Sequence, residues 1–280
     1  MKLTIKEDSY NEGVRKDIDG QHYLMNFRKD LDDDIIFLSK NTSGQIVKNN
    51  LTYYYGYEFN SNCPLKKQAE FRTDLKHNMT NSEVFYNEDV DTFIENGILH
   101  MDELKRLDDF SVVISTADYY GQETLAGKIG QICWEYINDN TKAFNMQLLK
   151  KMCNEVTFDE ERARESLRAT NKYGRSEEEV ERAIKSLKKQ FEDAIAEGGL
   201  FHMKRYKPVA GRVGFIDFLK FANKYDQETY EELKDGTEVL ICDDFLTSGA
   251  TVKEIIRFLT NINPKNKISV FILINQLRQL

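Results

Sequence analysis

Two adjacent carboxylates, Asp243 and Asp244, followed by Thr247-Ser248-Gly249-Ala250-Thr251, are the part of this 280-residue chain best equipped for chemistry. Paired acids accept strong hydrogen bonds from neutral hydroxyls, so they suit a diol such as that of a ribose, and they repel an anion. Glycine and small hydroxyl residues ahead of a helix do the reverse. Free N–H groups at a helix N-terminus bind anions, phosphate above all. The segment therefore asks for a ribose with a phosphate at one end.

The elements that must hold these residues are legible beside them. Residues 239–242 are four apolar residues in a row, which reads as a strand buried on both faces. The acids follow at its carboxyl end, where open α/β sheets place their ligands. Residues 252–259 then read as a helix. A second unit of the same design lies upstream. Residues 109–115 form a β-branched strand that opens into a loop, and a helix over 123–137 carries Leu125, Ile129, Ile132, Cys133 and Tyr136 at helical spacing.

The string at 239–251 resembles the phosphoribosyl pyrophosphate (PRPP) loop of type I phosphoribosyltransferases. That pattern is an apolar run, an acidic pair, two further residues, then Thr, Ser or Thr, Gly, any residue, and Thr. Every position of it is filled here. The resemblance implies an α/β fold, a mostly parallel sheet flanked by helices. It implies that Asp243 and Asp244 hold the ribose hydroxyls and that Thr247, Ser248, Gly249, Ala250 and Thr251 wrap the 5′-phosphate. The loop after the first strand, with Ser115, Thr116, Ala117, Asp118 and Gly121, becomes the candidate for the pyrophosphate, although it lacks the basic residue common there. Members also close a basic loop over the pyrophosphate, and Lys204, Arg205, Lys207 and Arg212 fall in the corresponding interval. The cofactor implied is Mg2+, arriving with PRPP. No cluster of metal-ligating residues stands out in the chain itself, and Asp118 alone does not make a metal site.

The implied activity is transfer of the 5-phosphoribosyl group to a nitrogen acceptor such as a nucleobase, with release of pyrophosphate. The alternative is a non-catalytic relative that senses a phosphorylated ribose or nucleotide, such as an accessory protein of a prokaryotic or phage system. The reading leans to the enzyme. His202 is a proton-shuttle candidate by type alone.

The remainder divides into an extension, residues 1–107, and a core, 108–280, interrupted by a helical hairpin at about 157–199. The residues at 144–152 suit a strand or the start of a helix. Thr157-Phe158-Asp159-Glu160 and Ser176-Glu177-Glu178-Glu179 are both spaced as capping boxes, and Gly198-Gly199 as a C-cap. Ala183, Leu187, Phe191 and Ile195 form an apolar stripe on the second helix, able to cover the site or to meet a partner's copy. In the extension, residues 51–59 alternate like an aromatic strand and 34–38 read as another. Residues 85–104 have helical spacing broken at Gly97. This region or the hairpin is the candidate hood over the acceptor.

Composition sets the outer bounds. A formal charge of −8 argues against broad nucleic-acid binding, which needs a basic surface. No apolar run approaches the roughly 20 residues of a membrane span. The start lacks the apolar segment of a secretory leader. Four widely spaced cysteines suggest neither a zinc site nor a disulfide framework. A cytoplasmic protein is expected, and a homo-oligomer is left open.

Overall fold

The computed structural model describes residues 22–26, 35–39, 45–48, 51–59, 65–78, 87–138, 142–169, 176–246 and 249–275. Its strands are β1 (His22–Asn26), β2 (Ile35–Ser39), β3 (Gln45–Lys48), β4 (Leu51–Phe59), β5 (Val112–Ala117) and β6 (Phe144–Lys150). They continue with β7 (Thr157–Phe158), β8 (Phe215–Ile216), β9 (Leu219–Phe221), β10 (Glu238–Leu246) and β11 (Lys267–Asn275). The helices are α1 (Leu65–Asn78), α2 (Asn87–Leu104), α3 (Leu125–Asn138), α4 (Glu160–Ala169), α5 (Glu177–Glu197), α6 (Lys224–Glu231) and α7 (Ala250–Ile262).

Nine of these strands make one sheet, and its centre is parallel in the order β4-β11-β10-β5-β6. The antiparallel strands β2 and β9 flank that centre. Val112, Val113, Ile114 and the run Val239 to Cys242 are wholly buried because helices cover both faces. On one face α1, α2 and α3 pack with Val113, Leu240 and Cys242. On the other, α4, α5 and α7 pack with Val112, Ile114, Val239 and Ile241. Strand β4 pairs with β11, so the sheet runs across the expected boundary at residue 107.

Several expectations shift. The residues at 144–150 are strand, not helix. Helix α2 passes through Gly97 without a break, because the glycine serves packing: a Cβ on Gly56 of β4 would lie 2.8 Å from the Gly97 Cα. Ser176 does cap α5, accepting from the Glu179 N–H while the Glu179 carboxylate takes the Ser176 N–H. Gly198 closes the helix at φ 68°. Thr157 is instead drawn into β7, and the Asp159 carboxylate receives the Arg162 N–H at 3.0 Å. Tyr136 stays exposed on α3.

The hairpin is neither a cover nor a free partner surface along its apolar stripe. That stripe is Val180, Ile184, Leu187, Phe191 and Ala194, whereas Ile195 faces water. It packs with Phe158, Tyr206 and Phe215 as part of the core on the α7 face. Residues 200–212, expected to form a flexible basic loop, instead carry short helical turns at Met203–Arg205 and Val209–Gly214 that pack against the hairpin. A Cβ on Gly211 would meet the Leu187 side chain at 2.3 Å, and one on Gly214 would meet the Asp159 carbonyl oxygen at 2.6 Å.

Candidate active site

The register of the central strands opens a crevice. Strand β10 pairs with β5 only over Val239 to Ile241, although β10 itself continues to Leu246 alongside β11. Strand β5 continues to Ala117 alongside β6. Beyond Ile114 and Ile241 the two neighbours part. Their connections leave on opposite faces, α3 after β5 and α7 after β10, which makes this the switch point where such sheets bind ligands.

Asp243 and Asp244 stand where β10 leaves β5, inside the strand rather than just past it. The Asp243 carboxylate accepts the Asp244 N–H at 2.9 Å, and the Asp244 carboxylate accepts the Phe245 N–H at 2.7 Å. Desolvation and then the Asp244 charge push the Asp243 carboxyl up to about 7, against the pull of Lys76 and Lys150. Asp244 forms an ion pair with Lys76 of α1.

Thr247 and Ser248 lie outside the described residues. Gly249 follows in the left-handed region, φ 67° and ψ 9°, a conformation that suits a residue without Cβ. Its carbonyl accepts the Lys253 N–H at 2.8 Å, and α7 begins at Ala250. The first turn of α7, with Thr251 in it, thus lies just after the acids.

Across the crevice, the expected pyrophosphate loop is shorter than its sequence suggests. Ser115, Thr116 and Ala117 belong to β5, and Ser115 is buried against Gly130 of α3. The loop proper begins at Asp118, whose N–H donates to the Gln122 Oε1 at 2.7 Å, and it turns through Gly121 at φ 76°. Thr124 Oγ1 donates to the Thr116 carbonyl and accepts the Gly127 N–H, which ties the loop to the start of α3.

The basic group missing from that loop comes from the next strand. Lys150, at the carboxyl end of β6, donates to Asp118 Oδ1 at 2.5 Å. His202 Nδ1 lies 3.9 Å from Asp118 Oδ2. Of the four expected lid cations, Lys204 alone among them faces this cluster. Its ammonium is lowered by Lys76 first and by desolvation next, with Asp244, Lys150 and Asp118 all within electrostatic reach. Arg205 pairs with Glu197 at 2.7 Å. Arg212 donates to the carbonyls of Tyr206 and Lys204. The Lys207 backbone is held by Gln190. Arg205 and Arg212 are thereby tied into the scaffold, which leaves Lys204 as the expected lid cation placed among the crevice charges.

Sequence reading missed Lys76 and Lys150. Lys150 carries a usable signal, since it ends a central strand on the ligand edge. Lys76 carries none, because only the fold brings α1 to β10.

Fold and crevice define a doubly wound α/β protein with a candidate ligand site at its switch point. Residues 148–279 match the model of the phosphoribosyl transferase domain family, a match that runs from within β6 through β11 and includes both acids. No curated protein matches the chain. Among the described residues, no helix is long and apolar enough to cross a membrane.

Proposed function

We propose that this protein binds PRPP in the crevice between β5 and β10 and transfers its 5-phosphoribosyl group to a nucleobase-like nitrogen. The observation that supports this most is the meeting of Asp243 and Asp244 with Lys76, Lys150 and Lys204 at one switch point. In this reading the acids accept from the ribose 2′- and 3′-hydroxyls. Residues 247–251 and the first N–H groups of α7 take the 5′-phosphate, while Lys150 and Lys204 face the pyrophosphate.

The C1–O bond breaks and its electron pair leaves with pyrophosphate. A C1–N bond forms, and the acceptor nitrogen gives up its proton, for which His202 at the mouth is the candidate carrier. The protein positions the reactants and stabilises separated charge. Mg2+ bound to PRPP would neutralise charge on the leaving group. Among the described residues there is no group of three or more His, Cys, Asp and Glu that could hold a metal ion. The region around α1 is the proposed hood.

Calorimetry with PRPP and Mg2+ tests binding, and a screen for base-dependent pyrophosphate release tests turnover. A second reading, a binding protein that does not turn PRPP over, is favoured by the packing of residues 200–214 against the hairpin. Tight PRPP binding with no release for any base would select it. Absence of PRPP binding would sink both.

A further inference from the structure

The ion pair between Lys76 and Asp244 conflicts with a simple ribose-binding role. A carboxylate meant to accept hydrogen bonds from a diol already holds an ammonium on one oxygen and the Phe245 N–H on the other. That ammonium comes from α1, outside the matched domain. It is held from a second side as well, with Lys76 Nζ 5.2 Å from the centroid of the Phe245 ring. The Asp244 side chain is only 13% exposed, so the pair is partly withdrawn from water, where the attraction is less screened than at the surface. A neutral hydroxyl replacing an ammonium there makes the weaker bond and leaves the lysine without its partner.

A ligand with a second anion changes that balance. Lys76 and Lys204 repel one another, and Asp244 is the carboxylate that both feel. A pyrophosphate on C1 would enter among Lys76, Lys204 and Lys150 and offer Lys76 a partner of higher charge. Ribose 5-phosphate has its phosphate at the opposite end, against α7, and offers Lys76 nothing. Both ligands must break the ion pair, but only one of them makes good the loss. A ligand shifts an equilibrium only by such a difference.

We propose that Lys76 is a specificity gate, held on Asp244 until an anionic group on C1 of the ribose draws it off, so that the site admits PRPP and turns away ribose 5-phosphate. The inference rests on the phosphoribosyl reading and adds a selection rule to it.

The test is calorimetric titration of PRPP with Mg2+, and of ribose 5-phosphate with Mg2+, into wild type, Lys76→Met and Lys76→Arg. Lys76→Met is expected to weaken PRPP and tighten ribose 5-phosphate, lowering the ratio of the two affinities by about tenfold or more, while Lys76→Arg keeps the ratio within about threefold. Thermal melts establish that each variant is folded, and Lys76→Gln replaces Lys76→Met should the latter not fold. An unchanged ratio overturns the gate but leaves PRPP binding, and the functional reading, intact. An equal loss for both ligands also overturns it, since Lys76 would then be a general support. If wild type binds neither ligand, the phosphoribosyl reading falls and takes the gate with it.

Discussion

The end of β10 and the stretch 200–212 both concentrate charge, and the fold uses them in opposite ways. At β10 the carboxylates sit where two strands part, so they face a crevice and draw cations from separate elements. In 200–212 Lys204 reaches those charges, but Arg205 and Arg212 sit on turns beside the hairpin and spend their donors on Glu197 and on backbone carbonyls. Charge density along a sequence does not tell what a charge faces. The edge of the sheet on which an element ends does.

The comparison can be broken at its strongest point first. Asp243→Asn with Asp244→Asn is expected to weaken PRPP by about a hundredfold or more, because two charged acceptors at roughly 1.5–3 kcal/mol each are lost. Calorimetry reads this directly, and near-equal binding would remove the acids from the ribose. Next comes Lys204→Ala, expected to cost about tenfold in PRPP affinity, about 1.4 kcal/mol. An unchanged affinity would place Lys204 with its scaffold neighbours.

A third prediction concerns stability. Because folding raises the Asp243 pKa to about 7, the folded state holds a proton that the unfolded state releases, and stability is lost as pH rises from the ordinary aspartate range to about 7. Asp243→Asn removes that loss. It is expected to raise Tm at pH 8 by roughly 5 °C over wild type, with little gain near pH 4. A Tm difference independent of pH would reject the shifted carboxyl. The smallest effect belongs to Arg205→Ala. An exposed pair contributes little, so PRPP affinity should stay within about twofold. A tenfold loss would restore Arg205 to a lid.

The acid pair and the helix after it were legible because their residues are close in sequence, and strand and helix each announce themselves within a few positions. The Ser176 cap and the Gly198 C-cap were legible for the same reason. Thr157 matched the capping pattern equally well but was claimed by pairing with Ile216, a contact invisible locally. Gly97 looked like a break because its reason lies on β4, at Gly56. Lys76 and Lys150 reach the crevice only through sheet order and helix packing. The acid pair at the strand end was therefore readable, and the cations opposite it were not.

The parallel pairing of β4 with β11 has a consequence for how the chain comes into being. Tyr54 sits beside Phe271, so at ribosomal rates of roughly 5–20 residues per second β4 waits on the order of ten to forty seconds for its neighbour to be made. During that interval one long aromatic edge has no strand beside it, while β3 already covers part of the other. An open edge of this kind is a template for pairing with another chain, so slower synthesis between β4 and β11 is expected to lower yield.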